Sequence, residues 1–149
     1  MEFDLEPYVG ARPVKFGMKA ADVAKTIGAA ESDRTVRDIW VEYRLAERKT
    51  PMPPVRVYYS AADEVVEIEF EKGSVLKYDG VDLFKQKDIL KVLAAKDQPK
   101  ERGGTVVFLT LEIAMRGFHD PSEDKSVTAF SKGRWDRFLD KLVDFKVKS

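Results

Sequence analysis

Apolar and polar residues alternate with a period of two in several parts of the chain, and this pattern predicts β-strands. Apolar side chains fill every second position, or a nearly continuous run, over residues 39–45, 55–59, 66–70, 75–78, 105–110, 111–115 and 127–130. A strand whose apolar side chains all point to one face belongs to a sheet that buries that face and exposes the other. We therefore expect an antiparallel sheet in which residues 105–110 are central and residues 75–78 return beside residues 66–70.

Three other segments carry the spacing of an amphipathic helix. Apolar residues recur at intervals of three and four over residues 20–27, in a segment that begins near Asp82, and after Gly133. Gly28 follows the first segment directly, at the position where a glycine commonly ends a helix. The sequence therefore predicts three helices that are interspersed with strands.

The order of these elements is helix, strands, helix, strands, helix, which is typical of the α+β class. We expect an antiparallel sheet with about three helices packed on one face. The repeated order raises a duplicated helix-plus-strands unit as a variant of this arrangement. No linker-like segment divides the 149 residues, so a single globular domain is expected over residues 1–149.

The composition excludes several classes of function. The 26 basic and 26 acidic side chains give a formal net charge of zero, whereas nucleic-acid-binding proteins usually carry a basic excess. The absence of cysteine and the single histidine exclude disulfides, thiol catalysis and a multi-histidine metal site. No glycine-rich phosphate loop is present, and no cofactor is expected. The first residues are acidic and lack an apolar run, so we expect a cytoplasmic protein with no membrane partner.

The glutamates of the third predicted strand are the first candidate for a binding site. Glu67, Glu69 and Glu71 alternate with apolar residues, so they project from one face of the strand. This pattern is common on an ordinary solvated sheet face. It also fits an acidic surface that docks a basic partner. A catalytic carboxylate pair is a third interpretation, and it requires a buried carboxylate whose pKa is raised.

Aromatic and arginine residues extend this candidate surface. Trp40 and Tyr58 fall on strand faces that they share with Arg44 and Arg56, and this composition is favoured at protein interfaces. The alternative is that both rings lie under a helix. The predicted partner-binding residues are Trp40, Glu42, Glu67, Glu69 and Glu71.

His119 and Asp120 are adjacent in a predicted loop, where neighbouring residues seldom form a working acid–base pair. A polar loop is the simpler interpretation, and their role is left open. No residue is predicted to be catalytic or to bind a metal.

Several local patterns resemble those of small bacterial proteins. They are residues 13–18 with Val23 and residues 27–28, then residues 66–70, 78–84 and 127–136. Together they resemble uncharacterised cytosolic proteins of the kind that act as immunity partners of polymorphic toxins. The helix opening is also similar to outer-membrane assembly lipoproteins of the β-lactamase-inhibitor-like fold, but their signal peptide and lipidated cysteine are missing here. Neither resemblance implies a catalytic residue.

The immunity resemblance implies a non-catalytic module that binds and neutralises a cognate toxin. A homo-oligomeric scaffold or a small-ligand-binding regulatory domain is the alternative, and it predicts a self-complementary apolar patch or a cavity. A small carboxylate-dependent enzyme is a further alternative, and it predicts a deep pocket with a strongly perturbed carboxylate. The oligomeric state is left open.

Overall fold

A computed structural model describes residues 2–37, 42–48, 53–120 and 122–147. Within these residues the chain forms short strands, two α-helices and one 3₁₀ helix, Asp136–Lys141. The helices are α1 (Ala20–Ile27) and α2 (Ile89–Ala94). The strands are β1 (Glu2–Glu6), β2 (Gly10–Arg12), β3 (Val14–Lys15), β4 (Ser32–Arg37), β5 (Glu42–Arg48), β6 (Val55–Tyr59), β7 (Val65–Glu71), β8 (Val75–Tyr78), β9 (Val81–Asp82), β10 (Lys100–Arg102), β11 (Thr105–Phe108), β12 (Ile113–Arg116), β13 (Ser126–Phe130) and β14 (Val143–Asp144).

These strands form two sheets. The large sheet has nine strands in the order β14-β10-β11-β12-β13-β7-β6-β5-β4, and its neighbours pair antiparallel. The small sheet has five strands in the order β3-β2-β1-β8-β9. Its central pairing, between β1 and β8, is parallel. The predicted antiparallel sheet therefore exists, but a second sheet accompanies it.

One apolar core lies between the sheets. The alternation in β7 directs Ile68 and Phe70 into this core, and Val57 of β6 lies directly opposite Ile68. The small sheet contributes Phe3 and Leu76. The centroids of the Phe3 and Phe70 rings lie 4.9 Å apart. Burying one such phenylalanine contributes up to about 3 kcal/mol. Contact between the two sheets is therefore a main source of stability.

The first predicted helix is confirmed, residue for residue. α1 turns Val23 and Ile27 into the core, and its other residues are mostly exposed. It ends at Gly28, whose φ of +95° leaves the helical region while its N–H still donates to the carbonyl of Ala24. Glycine reaches this conformation without the steric cost that a Cβ imposes.

The other two helix predictions are only partly right. Asp82 belongs to β9, and its side chain accepts hydrogen bonds from the backbone N–H groups of Phe84 and Lys85. α2 begins later, at Ile89, and buries Ile89, Leu90 and Leu93. The segment after Gly133 forms a 3₁₀ helix, not an α-helix.

The α+β prediction is wrong, because the fold is mostly β. Nine strands spaced about 4.8 Å apart make a sheet about 40 Å wide, whereas a helix of eight residues is only about 12 Å long. The described helices are therefore too short to cover one face of the sheet. The small sheet covers much of that face instead, through strands of two to five residues.

The predicted pairing of residues 75–78 and the duplicated unit are also wrong. β8 has the expected bounds, but both edges of β7 are occupied, by β6 and β13. β8 therefore crosses to the small sheet and pairs with β1. Because β7 and β13 join the two halves of the large sheet, the chain does not contain two separate helix-plus-strands units.

A buried carboxylate ties the β1–β2 turn to the large sheet. Glu112, between β11 and β12, is only 3% exposed, and its Oε1 accepts the backbone N–H of Tyr8 at 2.7 Å. Burial raises the pKa of Glu112, while the hydrogen bond from Tyr8 and the charge of Lys132 oppose that rise. The side chain of Tyr8 remains 62% exposed at this turn.

We expect Phe70→Ala to lower the free energy of unfolding by about 3 to 5 kcal/mol, because it leaves a cavity where the two sheets meet. Urea unfolding followed by circular dichroism measures the change. Val143→Ala, at an exposed site in β14, is the control and should cost under about 0.5 kcal/mol. Equal effects of the two substitutions would contradict the placement of Phe70 in the core.

Candidate functional site

The outer face of the large sheet, which points away from the small sheet, carries the predicted glutamates. Ile68 and Phe70 point into the core, so the alternate residues of β7 point outward. The structure thus places Glu67, Glu69 and Glu71 on one face. This follows directly from the period-two pattern of the strand.

Arg56 neutralises part of this acidic strand. It lies on β6 directly opposite Glu69, and its Nη1 is 3.1 Å from Oε1 of Glu69 and 2.6 Å from Oε1 of Glu71. Its Nε lies 2.5 Å from Oε2 of Glu47 on β5. Although burial acts to lower the pKa of Arg56, hydrogen bonds to Glu71 and Glu47 raise it above its usual value. One guanidinium therefore holds three carboxylates in place.

Glu67 forms an ion pair with a different arginine, one that follows β13. Nε of Arg134 donates to Oε1 of Glu67 at 2.8 Å, and the two side chains are only 14% and 20% exposed, respectively. Burial raises the pKa of Glu67, while the charge of Arg134 and its hydrogen bond oppose that rise. Glu67 is thus covered by the C-terminal segment, whereas Glu69 and Glu71 are more open to solvent, at 27% and 40% exposed.

An apolar cluster lies on the outer face next to the cavity that Glu67 lines. The ring of Trp135 lies 6.0 Å from that of Phe130, and it packs with Val107 and Ala114. Leu142 joins the same cluster from beyond the 3₁₀ helix. The outer face is therefore divided between a covered part over β11–β13 and a more open part over β5–β7.

We call the charged group on the more open part the carboxylate array. It consists of Glu47, Glu67, Glu69 and Glu71 with Arg56 and Arg134. Four carboxylates against these two guanidiniums leave a formal excess of two negative charges, and the positive charge of Arg137, which also acts on Glu67, reduces it to one. Tyr58 lies beside the array, because it is directly opposite Glu67 in the register of β6 and β7.

The structure describes no side-chain position for the other two predicted binding residues. Trp40 lies outside the described residues. Glu42 opens β5 opposite Arg37, but its side chain lies outside the described part of the chain. Their participation in a binding surface stays a prediction.

A small cavity of about 180 Å³ opens beside the array. Glu67, Glu69, Arg116 and Trp135 are among the residues that line it. A raised pKa in a cavity is a property of a general acid, but Oε1 of Glu67 already accepts the N–H of Arg134. Ion pairing is therefore the chemistry that this carboxylate shows.

His119 does not pair with Asp120. Oδ1 of Asp120 accepts hydrogen bonds from Ser122, which holds the pKa of Asp120 below its usual value. Nε2 of His119 lies 3.3 Å from Oε2 of Glu101, and its ring packs edge-on against Phe145. His119 instead lines a groove of about 450 Å³ between α2, the β12–β13 loop and the C-terminal residues. The sequence pattern does not reveal this groove, because its walls come from three distant segments.

No protein-family model, curated protein or solved structure matches this chain. The resemblance to immunity proteins therefore stays an expectation. Within residues 2–37, 42–48, 53–120 and 122–147, no three His, Asp or Glu side chains are grouped so that they could hold a metal ion. The helices of this described part are all too short or too polar to cross a membrane.

The buried position of Glu67 predicts a pH dependence that Glu67→Gln should remove. A folded-state pKa above the unfolded value means that the native state binds the proton more tightly. The stability of the wild type should therefore rise relative to the Gln variant as the pH falls from 7 through the raised pKa of Glu67. Urea midpoints at several pH values measure this difference.

Asp144→Asn provides a control of opposite sign. The hydrogen bond and charge of Lys100 lower the pKa of Asp144, so its stabilising contribution is lost as the pH falls through that lowered pKa. A stability difference between the wild type and Glu67→Gln that is independent of pH would contradict the raised pKa of Glu67.

Proposed function

We propose that this chain is a non-catalytic protein-binding module, and more specifically an immunity protein that neutralises a cognate bacterial toxin. The carboxylate array is the observation that carries the proposal. It would receive a basic surface of the toxin, with Glu69 and Glu71 as the most accessible acidic groups.

The order of the array supports a binding role. Arg56 holds its carboxylates at 2.5 to 3.1 Å, and both ends of these ion pairs come from paired strands. Side chains that are already fixed lose less conformational freedom when a partner docks. The array therefore offers a rigid set of acceptors for the lysine and arginine side chains of a partner.

The charge of the array supports a basic partner. Carboxylates outnumber guanidiniums in the array, even when Arg137 beside Glu67 is counted, although the chain as a whole has zero net charge. A local charge of this kind accelerates encounter with a surface of opposite sign and fixes the docking register. The immunity role needs only such complementarity, since inhibition by occlusion requires no catalytic group.

We expect Glu69→Lys combined with Glu71→Lys to reduce capture of the partner by about tenfold or more, because two attractive contacts become repulsive. The tagged chain would be used as bait in lysate of its native host, at low and high salt. Asp4→Lys with Asp22→Lys is the matched control, because it makes the same change in charge at exposed sites in β1 and α1. Equal capture by both double variants would contradict the proposed surface.

Growth assays test the immunity role separately. The captured protein should arrest growth when it is expressed alone, and co-expression of the wild-type chain should restore growth. The Glu69→Lys, Glu71→Lys variant should restore growth poorly, whereas the Asp4→Lys, Asp22→Lys variant should protect. A captured protein that is harmless when expressed alone would contradict the immunity role, while the binding role would stand.

A further inference from the structure

The groove beside His119 has the size of a small-molecule site. Its volume is about 450 Å³, within the range of about 300 to 1,000 Å³ that is common for ligand pockets. One wall is formed by residues 84–91, the second by the β12–β13 loop, and the third by residues 145–147. None of its lining residues belongs to the carboxylate array.

Aromatic rings form the apolar part of the groove. The ring centroids of Phe84 and Phe118 lie 5.9 Å apart, and those of His119 and Phe145 lie 5.2 Å apart. All four side chains are partly exposed, so they present ring surface to whatever enters the groove. Flat apolar walls of this kind favour a planar or aromatic ligand.

Cationic side chains surround this apolar surface. The groove is lined by five lysines, Lys85, Lys87, Lys91, Lys125 and Lys146, and by one acidic residue, Asp88. Counted at their formal charges, these side chains carry a net charge of four positive units. The groove is therefore strongly basic in a chain whose formal net charge is zero.

The lysines of the groove lack the ion pairs that some lysines elsewhere in the structure form. Lys77, Lys96 and Lys100 form ion pairs with Glu2, Asp79 and Asp144, respectively. Within the described residues, none of the five groove lysines lies within 4.0 Å of a carboxylate oxygen. Nζ of Lys125 instead lies 5.1 Å from the centre of the Phe118 ring. Unneutralised cations around a half-enclosed groove concentrate anions in it.

One polar atom of a residue that lines the groove has no hydrogen-bond partner among the described residues. Nδ1 of His119 is buried and has no hydrogen-bond partner within the described part of the chain. Nε2 of the same ring is directed to Glu101. A buried imidazole nitrogen without a partner is energetically costly.

We propose that this groove binds a small amphipathic anion, namely an aromatic ring system that carries a carboxylate, phosphate or sulfonate group. The ring would pack against Phe84, Phe118 and Phe145, and the acidic group would be held by the surrounding ammonium groups. This site is independent of the proposed toxin-binding surface, and it would give the chain a ligand-binding function of its own.

A matched pair of probes tests both halves of this assignment. Anilinonaphthalene sulfonate carries an aromatic ring system and an anionic group, whereas phenylnaphthylamine has the same rings without the sulfonate. We expect saturable fluorescence enhancement with the sulfonate at one site per chain, and binding of the neutral probe that is weaker by about tenfold. Inorganic phosphate, which has the charge without the rings, should bind more weakly than the sulfonate probe.

The single histidine provides a local reporter. The nuclear magnetic resonance signals of the His119 imidazole should shift during the titration and saturate at the concentration that saturates the fluorescence. Lys91→Gln with Lys125→Gln removes one charge from each of two walls and should weaken the sulfonate probe by about five- to tenfold. Lys15→Gln with Lys25→Gln removes the same charge at exposed sites outside the groove and should leave the affinity unchanged.

Three results would overturn the proposal. One is equal affinity for the sulfonate and the neutral probe, and another is an equal loss of affinity in the two lysine double variants. The third is probe binding that leaves the His119 signals unmoved, since that would place the probe elsewhere. Because the reporter is present in the wild-type chain, the third result is informative even if a variant is unstable.

Discussion

The burial of alternate residues of β7 is the constraint on which the rest of the structure depends. Ile68 and Phe70 enter the core between the sheets, and the pleat then leaves the intervening glutamates no position except the outer face. A shift of one residue in register would bury three carboxylates and expose the core residues. The same packing therefore stabilises the fold and arranges the candidate binding surface.

The carboxylates along β7 repel one another, and two arginines from different segments of the chain offset this repulsion. Arg56 comes from the neighbouring strand, while Arg134 comes from the segment that covers the far part of the outer face. The result is an ordered set of ion pairs and not a diffuse acidic patch. The groove beside His119 shows the opposite arrangement, because its lysines have no carboxylate partners within the described residues.

Local patterns could predict the elements but not their assembly. α1, β6 and β8 have the predicted bounds, since each shows a clear period over its own length. The small sheet was missed because β2, β3 and β9 span only two or three residues, and because its central pairing joins β1 to a strand more than 70 positions away. The glutamate face was predictable from one strand, whereas the Arg134–Glu67 pair spans 67 positions and the groove needs three segments.

The parallel pairing of β1 with β8 has a consequence for the synthesis of this protein. Phe3 and Leu5 leave the ribosome before their partner strand, which follows on the order of ten seconds later at ordinary rates of translation. Glu112, which accepts the backbone N–H of Tyr8, is synthesised later still. The nascent chain therefore exposes the apolar side chains of β1 until the strand with which it pairs has been synthesised.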